Sequence, residues 1–572
     1  MYIEDLKKDF YNVLIGKRIL LLVNYDIDAI CTCKILQYLF RCDSIIYTLV
    51  PVQGITDLQN AYEENCEEIK YVVLVNCGGT IDIVDSLQPE EDVVFFVIDS
   101  HKPTDVCNIY NNGQIRLLSK AEDDEGIPEF EEIFQDESEE DDQNCSDDGS
   151  GDEDGAEESR QAKRRRLGEE AVLRRRERRL WEEKRDRLMF NYTQFSYYGH
   201  SSAVIIFELA WKLSKDNMDL LWWAIVAVTE QILLGKVENY QYVLETGNLQ
   251  GHVARLGYQG EVLYDENSTH HKTALKITYD KDLNLALYRH WTVEASLRHS
   301  MYSAVKLKLW TLRGENKLHE LLAEMGLPLV QSRQKFNAMD LVLRQEFHSM
   351  IAKLADKYQL HDIVIASFTL QYGFRSRYCA ADVVYAMLAT LEFTGRGKSP
   401  GDCFVDALDC LSRQKKDLLE DGIEKAKRML MCIFKQVQAA LDMHQVISAG
   451  PFVYLVLQEG TLDAKMFSRP HCITLLAHFA LKAHVASSRN RKASSLPLIA
   501  SAPHDLDKGT CLIVGIPPTC EDSPKNFFGR AFERAAEKTS ARMLPDYFDS
   551  SIVELKTEDR TRFFDALTTL LS

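Results

Sequence analysis

Residues 18–36 read RILLLVNYDIDAICTCKIL, and this stretch decides the fold. The apolar run from Arg18 to Val23 has the length and continuous hydrophobicity of a strand that is buried on both faces, which is typical of a parallel sheet. Asp26 and Asp28 follow the end of this strand, and the apolar spacing from Ala29 to Phe40 predicts a helix. The stretch therefore predicts the first strand and helix of an α/β domain.

The same pattern recurs twice further along the chain. Strand-like runs at Tyr71–Val75 and Val93–Ile98 are followed by Asn76-Cys77-Gly78 and by Asp99-Ser100-His101, and a further strand-like run covers Ser44–Val50. The carboxyl ends of parallel strands meet at one edge of a sheet, where ligands bind. We therefore expect Asp26, Asp28, Asp99 and His101 to lie close together.

These residue types suit hard divalent cations. Carboxylates spaced Asp-x-Asp, joined by a carboxylate and an imidazole from a neighbouring strand, provide the ligands that a pair of metal ions needs. The Asp-x-Asp spacing alone is equally typical of carboxylates that cap the following helix. Both interpretations remain open from the spacing.

The motifs in their order resemble those of the DHH phosphoesterases, the family of RecJ exonucleases. The matching stretches are NYDIDAICTCKIL at 24–36, LVNCGGTID at 74–82 and VIDSHKP at 97–103. A fourth motif is matched by AIVAVTEQ at 224–231, with Glu230 in place of the family's aspartate. The resemblance implies a parallel-sheet DHH domain, followed by a smaller α/β domain of the DHHA1 type.

Three departures from the active family indicate an eroded site. This chain has Asn76 where the resemblance implies a bridging aspartate, Ser100 where it implies a second histidine, and Ala29 where it implies glycine. Asparagine is neutral and a poor bridge between two dications. We therefore expect no two-metal hydrolysis, no cofactor and no resident metal pair, although the remaining carboxylates and His101 could hold one weak ion. The alternative is an active metal-dependent nuclease or phosphoesterase that tolerates Asn76 and Ser100.

The whole chain also resembles a family of eukaryotic replication-initiation factors, the cell division cycle 45 family. The matching stretches include MYIEDLKKDFY at the start, LLWWAIVAVTEQ at 220–231 and KNFFGRAFERAAEKTSARMLPDYFDSSIVELK at 525–556. The resemblance implies a non-catalytic, nuclear subunit of the replicative helicase. Its implied partners are the MCM hexamer, the GINS complex, replicative DNA polymerases and initiation factors, with single-stranded DNA as a further candidate.

Composition limits the class of protein. A chain of 572 residues, 45% of them hydrophobic, has enough apolar residues for about three to four domains. Its 14 cysteines show no repeated C-x-x-C pattern, which favours reduced thiols over disulfides or a zinc site. The longest apolar run, Leu220–Val228, is far shorter than the roughly 20 residues of a membrane span. No membrane association is expected.

Charge is concentrated in two adjacent blocks. Residues 122–158 hold 20 acidic residues and no Lys or Arg, while the net charge of the whole chain is −20. We expect disorder from Asp136 to Ser159, either as a solubilising loop or as a phosphorylatable, charge-gating segment. From Arg160 to Arg187 the chain holds 13 basic and 6 acidic residues, and the stretch Glu169–Met189 is a strong helix former. The cluster Lys163, Arg164, Arg165 and Arg166 predicts nuclear import, with DNA contact or a plain exposed helix as alternatives.

The remainder predicts a helical middle and a return to α/β alternation. The expected division is 1–135 DHH-like, 136–160 acidic linker, 161–235 basic helix and completing helices, 236–448 helical insertion, and 449–572 DHHA1-like. A helix is predicted from Lys525 to Met543. It would carry a basic stripe that is a candidate for DNA contact, made of Arg530, Arg534, Lys538 and Arg542.

Overall fold

The computed structural model describes residues 1–119, 126–134, 157–262, 275–372, 376–393, 397–461, 463–519 and 525–572. The chain forms two units, one made of residues 1–120 and 196–572 and the other of residues 121–195. The acidic segment Asp136–Ser159, which we expect to be disordered, lies outside the described residues up to position 156. The five-part division of the chain stays a prediction.

The amino-terminal region is built around a five-stranded parallel sheet in the order β2-β1-β3-β4-β6. Its central strands are apolar on both faces and fully buried, as the sequence predicts for a sheet covered by helices on both sides. The strands of the sheet are β1 (Arg18–Asn24), β2 (Ile46–Val52), β3 (Tyr71–Val75), β4 (Val94–Ile98) and β6 (Ile115–Leu117), and a short strand outside it is β5 (His101–Lys102). Its helices are α1 (Asn12–Leu14), α2 (Ile27–Cys42), α3 (Ile55–Glu63), α4 (Ile83–Leu87) and α5 (Val106–Tyr110).

The smaller unit contains two helices, α6 (Phe130–Ile133) and α7 (Glu157–Thr193). The backbone of α7 includes Lys163 to Arg166, so the predicted import cluster lies on a helix. Lys184 forms an ion pair of 2.9 Å with Glu132, which ties the two helices together. Helix α7 is longer at both ends than the stretch Glu169–Met189 that the sequence predicts.

The middle region is mainly helical, but it also contains a three-stranded antiparallel sheet, in the order β10-β9-β8, that the sequence pattern missed. The missed sheet joins segments far apart in the chain, with Lys276 opposite Gln371. The strands from the end of α7 onward are β7 (Tyr197–Tyr198), β8 (Lys276–Leu283), β9 (Val364–Tyr372) and β10 (Ser376–Cys379). The helices are α8 (Ser202–Lys212), α9 (Met218–Leu233), α10 (Asn239–Val262), α11 (Val293–His299), α12 (Met301–Leu307), α13 (Leu312–Glu324), α14 (Leu329–Ser332), α15 (Leu341–Leu354), α16 (Ala380–Glu392), α17 (Pro400–Cys410) and α18 (Lys416–Asp442).

The carboxyl-terminal region is a six-stranded mixed sheet in the order β11-β12-β13-β14-β16-β15. Its strands are β11 (Val446–Ser448), β12 (Val453–Val456), β13 (Leu498–Pro503), β14 (Thr510–Ile516), β15 (Met543–Leu544) and β16 (Ile552–Lys556). Its helices are α19 (Pro470–Ser487), α20 (Phe528–Thr539) and α21 (Arg560–Leu571). The predicted fold class, a parallel-sheet α/β domain with a helical middle and a smaller α/β domain, is therefore confirmed. Within the described residues, no helix is long and apolar enough to cross a membrane.

The predicted helix Lys525–Met543 is wrong at its end. Helix α20 stops at Thr539, because Ser540 adopts a left-handed conformation with φ of 50° and caps it. Arg542 therefore lies beyond the helix and is not part of the predicted four-residue stripe.

Two glycines test how tightly the middle region is packed. A Cβ at Gly422, on α18, would lie 2.9 Å from the Ala386 carbonyl oxygen on α16, whereas a Cβ at exposed Gly247 on α10 would meet nothing within 4 Å. We expect Gly422→Ala to destabilise the protein by about 1–3 kcal/mol through overpacking. We expect the control Gly247→Ala to stabilise it by up to about 1 kcal/mol through helix propensity. Thermal unfolding followed by circular dichroism measures both, and equal melting temperatures would contradict the close helix contact.

Candidate functional site

The predicted polar residues meet at the carboxyl edge of the amino-terminal sheet. Asp26 and Asp28 lie at the start of α2, Asn76 follows β3, and Asp99 to His101 follow β4. All of them are buried, with exposed fractions of 7% or less. The expectation that Asp26, Asp28, Asp99 and His101 lie together at this edge agrees with the structure, although their functional roles stay a proposal.

The Asp28 carboxylate accepts four hydrogen bonds from the protein itself. Its Oδ1 accepts from the Ser201 hydroxyl at 2.6 Å and from the backbone N–H of Ala203 at 3.1 Å. Its Oδ2 accepts from the backbone N–H of Ser202 at 3.0 Å and from the Asn76 side-chain amide at 3.1 Å. A carboxylate has about four lone-pair positions, so Asp28 is fully occupied. Asp28 also places its negative charge at the amino-terminus of α8, where the helix dipole favours an anion.

Asn76 is a hydrogen-bond donor at the position where the DHH motif has a bridging carboxylate. Its side-chain amide donates to both aspartates, reaching Asp26 at 3.2 and 3.3 Å and Asp28 at 3.1 Å. Its side-chain oxygen accepts from the backbone N–H of Ser100 at 3.1 Å and from the Ser202 hydroxyl at 2.6 Å. The amide therefore bridges the two carboxylates from between them, as a cation would. Its φ of 53° is a left-handed value that asparagine tolerates better than most residues.

Asp26 and Asp99 are saturated in the same way. Asp26 also accepts from the backbone N–H of Ala29 at 2.6 Å and from the Asn24 amide at 2.9 Å, so it caps α2. Asp99 accepts from the backbone N–H groups of Gly78 at 3.2 Å and Gly79 at 2.8 Å. A Cβ at Gly79 would come within 2.8 Å of the Asp99 side chain, which explains the need for glycine there.

The remaining acceptor positions of Asp99 are filled by His101. The backbone N–H of His101 donates at 2.9 Å, and its ring Nδ1 lies 2.6 Å from the same carboxylate oxygen. Burial opposes both charges, but their mutual attraction outweighs it, so the pKa of Asp99 lies below its ordinary value and the pKa of His101 lies above its own. The two residues therefore form an internal ion pair.

Lys236 supplies a second cation beside the site, and the sequence pattern missed it. Its Nζ lies 2.7 Å from Glu230 Oε1 and 4.7 Å from the ring centroid of Tyr198. Burial opposes the charge of Lys236, but Glu230 and Asp26 outweigh it and raise its pKa. Burial also raises the pKa of Glu230 to about 7, and Lys236 limits that rise. The ammonium group balances carboxylates that a divalent metal would otherwise neutralise.

The donor set does not fit the metal pair that a DHH phosphoesterase implies. Asp28 and Asp99 each accept four hydrogen bonds from protein groups, and Asp26 accepts on both oxygens from Asn24, Ala29 and Asn76, so a metal pair would have to displace these donors. In the described part of the chain, no three His, Cys, Asp or Glu side chains are placed to share a metal ion. We therefore derive no metal-dependent chemical step from this arrangement.

Contacts between the two α/β regions surround a small cavity beside this site. Asp546 caps the amino-terminus of α3, accepting from Ile55 N–H and Thr56 N–H, each at 2.7 Å. The Tyr198 hydroxyl donates to Asp549 at 2.8 Å, and the His471 ring nitrogen Nε2 lies 2.8 Å from the Tyr25 carbonyl oxygen. The cavity opens to solvent and has a volume of about 140 Å³. Its lining includes Asp26, His101, Lys236, Glu392, Arg469 and His471.

Comparison with known proteins identifies the family. The model of the CDC45 family matches residues 19–570. The chain belongs to the CDC45 family. It is 46% identical to the human cell division control protein 45 homolog over 100% of both chains, and 30% identical to that of Schizosaccharomyces pombe over 96% of both. The crystal structure of CDC45 from Entamoeba histolytica superposes with a TM-score of 0.70 at 22% identity, covering 100% of both chains.

Family membership confirms the resemblance that the sequence motifs indicate, and it makes the chain a DNA replication factor. The three-dimensional agreement supports the fold.

Replacing Asn76 tests whether its amide takes the place of a cation. We expect Asn76→Asp to lower stability by about 3–5 kcal/mol, because a third buried carboxylate replaces the donor between two others. Millimolar Mn²⁺ should then raise the melting temperature of this variant and leave the unmodified protein unchanged.

Asn108→Asp is the matched control, because Asn108 is also buried and donates to the carbonyl oxygens of Gly78 at 3.1 Å and Ile81 at 2.6 Å. This variant should lose stability without a response to Mn²⁺. A Mn²⁺ response of the unmodified protein equal to that of Asn76→Asp would contradict the role given to the amide.

Glu392, in the cavity wall, predicts a specific pH dependence. Burial raises its pKa to about 8, Arg469 opposes the rise, and no described group bonds to its Oε2. A raised carboxyl pKa favours the folded state below the unfolded value near 4.5, and this stabilisation is lost as pH rises towards 8. Glu392→Gln should therefore become more stable than the unmodified protein by a few kcal/mol at about pH 9, since one pKa unit is about 1.4 kcal/mol.

The measurement is a series of melting temperatures between pH 5 and 9, with Glu459→Gln as the exposed control. Parallel curves for Glu392→Gln and the unmodified protein would show that Glu392 does not titrate in this range.

Proposed function

We propose that this chain is a non-catalytic subunit of the replicative DNA helicase, which joins the MCM hexamer and GINS in the nucleus. The observation that carries the proposal is the saturation of Asp26, Asp28 and Asp99 by hydrogen bonds from the protein. A working two-metal hydrolase needs open metal positions and a metal-bound water. Here the carboxylates face the amide of Asn76 and the ammonium group of Lys236 instead. The site therefore stabilises the fold and performs no hydrolysis.

The proposal extends family membership from replication in general to a specific assembly. A non-enzymatic protein acts through surfaces that bind partners, and we propose the MCM hexamer, GINS, replicative polymerases and initiation factors as these partners. The contacts of Asp546, Asp549 and His471 support this role, since they join the two α/β regions beside the eroded site.

Direct contact with single-stranded DNA is the second part of the proposal. Arg530, Arg534 and Lys538 share a face of α20, and Lys538 is exposed. Arg542 is a weaker candidate, because it forms ion pairs of 2.9 Å with both Glu558 and Asp559. Phosphate binding by this face would be salt-dependent, as for any contact that releases counterions.

Reconstitution tests the helicase role. The purified chain should co-elute with purified MCM hexamer and GINS in size-exclusion chromatography, and unwinding of a forked DNA by the mixture should require it. The chain alone, with Mn²⁺ or Mg²⁺, should release no nucleotides from single-stranded DNA. The variant Asp26→Asn should still assemble and unwind, because we propose that the partners bind outside this site, but it should melt at a lower temperature, since it removes a carboxylate that accepts from Ala29 and Asn76 and faces Lys236.

Two results would contradict the proposal in different ways. Metal-dependent cleavage that Asp26→Asn abolishes would establish the alternative, an active DHH-type nuclease. Failure to co-elute with either partner, with no cleavage, would leave a replication factor outside the helicase.

Nuclear import is proposed for the cluster on α7. Replacing Lys163, Arg164, Arg165 and Arg166 by Gln should lower the nuclear fraction of a fluorescent fusion several-fold, because import receptors bind clustered positive charge. Arg174, Arg175 and Arg176 on the same helix, replaced by Gln in the control, should have a smaller effect. Unchanged accumulation of the first variant in cells that lack the partner proteins would contradict the import role.

A further inference from the structure

A large groove lies away from the eroded site, where the missed sheet meets α12 and α19. Its volume is about 800 Å³, within the range of about 300–1,000 Å³ that is typical of binding sites. Strands β8 and β9, helices α9, α10, α12, α16 and α19 all contribute to its walls. None of the residues of the eroded site lines this groove; these are Asp26, Asp28, Asn76, Asp99, Ser100, His101 and Glu230.

The walls of the groove are aromatic and aliphatic. Five tyrosines line it, together with aliphatic side chains such as Ile232 and Leu233. The Tyr288 hydroxyl donates to Asp282 at 2.7 Å, and the Tyr302 hydroxyl accepts from the backbone N–H of Asp362 at 2.9 Å. Rigid aromatic side chains whose polar ends are already bonded are typical of surfaces that receive apolar side chains. The tyrosines are Tyr242, Tyr279, Tyr288, Tyr302 and Tyr385.

The two carboxylates in the lining are already paired within the protein. Asp282 accepts two hydrogen bonds from Arg289, at 2.8 and 2.9 Å. Asp382 accepts from the backbone N–H groups of Leu287 at 3.1 Å and Cys379 at 3.3 Å. These acids are therefore internal, and they are not available to a ligand.

The lysine side chains at the groove, in contrast, are not paired with carboxylates in the described part of the chain. Lys306, Lys308 and Lys482 line it; all three side chains reach solvent, and the packing around Lys482 lowers the pKa of its ammonium group below the ordinary value. Among the described residues, none of the three forms an ion pair with a carboxylate. The groove therefore presents an apolar interior with positive charges at its rim, which complements an acidic ligand.

Apolar surface continues beyond the groove along α10. Tyr240, Val243 and Leu244 lie at i, i+3 and i+4 on this helix, so they share one face, and their exposed fractions are 72%, 64% and 52%. Val243 also lines the groove, which makes the exposed face continuous with it. A small molecule would fill the groove and leave this strip in water, whereas a peptide segment would cover both.

We propose that this groove binds an acidic, amphipathic segment of a partner protein, with bulky apolar side chains in the tyrosine-lined interior and acidic residues at Lys306, Lys308 and Lys482. A helix carrying apolar residues at i, i+3, i+4 and i+7 is the segment that suits such a groove. The proposal is independent of the helicase role, since it depends only on the chemistry of the groove.

The test is a selection of 16-residue random peptides displayed on phage against the full chain, followed by binding of the selected synthetic peptides measured by fluorescence anisotropy. The test variant is Lys306→Glu/Lys308→Glu/Lys482→Glu. The matched control is Lys7→Glu/Lys8→Glu/Lys353→Glu, which changes three other exposed lysines and gives the same net charge. A further variant, Val243→Asp, adds a charge to the exposed apolar strip.

The selected peptides should be acidic with helical apolar spacing. The test variant should weaken their binding about tenfold or more, Val243→Asp should weaken it as well, and the control should match the unmodified protein. Binding should also weaken as salt rises, because the lysines are exposed. All variants change exposed residues, and equal melting temperatures will show that they fold.

Three results would overturn the proposal. The first is selected peptides that are basic or neutral, or no selected peptide at all. The second is binding that the control variant weakens as much as the test variant does. The third is binding that appears only when residues 264–273 are replaced by a Gly-Ser linker, since the groove would then belong to a segment of the same chain.

Discussion

The hydrogen bonds of the Asp28 carboxylate are the interaction on which the rest of the site depends. They join three parts of the chain: the start of α2, the residue after β3, and the start of α8, which lies more than 170 positions further along the sequence. A buried carboxylate is costly unless donors surround it, and removing those donors would leave an unsatisfied charge. The amino-termini of α2 and α8 therefore face each other across one set of aspartates. In this way a local sequence feature, Asp-x-Asp, fixes a long-range contact.

Fixed donors and a fixed ammonium group behave differently from metal ions. A metal at such an edge exchanges with solvent, and its binding depends on pH and on metal concentration. Asn76 and Lys236 are covalent parts of the chain, so their donor groups stay beside the carboxylates at any metal concentration. The arrangement gives a stable sheet edge and gives up the open coordination positions that hydrolysis requires.

The sequence predicts the strands and the positions of the polar residues well, because those features are local. The runs Arg18–Val23 and Tyr71–Val75 are strands within a residue of their predicted limits. Lys236 could not be predicted, since its role depends on how the chain after α9 places it near Glu230 and Asp26. Ser201 and Ser202, which donate to Asp28 and Asn76, are of a residue type typical of helix starts, and that was the signal that could have found them. The antiparallel sheet of β8, β9 and β10 was missed because the partners in the β8–β9 pair are separated by about 80 residues or more, and the short β9–β10 hairpin is marginal alone.

The contacts between the two α/β regions explain why loss of chemistry and retention of fold are compatible here. In a hydrolase, the region facing the metal must open for substrate and product, so contacts across it have to be weak. In this chain Asp546 caps a helix of the opposite region, and a Cβ at Gly54 would lie 2.5 Å from the Asp546 carbonyl oxygen. So close an approach is possible only where no side chain intervenes. The two α/β regions are thus bound to each other through backbone groups. Their outer surfaces therefore keep a fixed relative position. A protein that acts through contacts with partners needs this property.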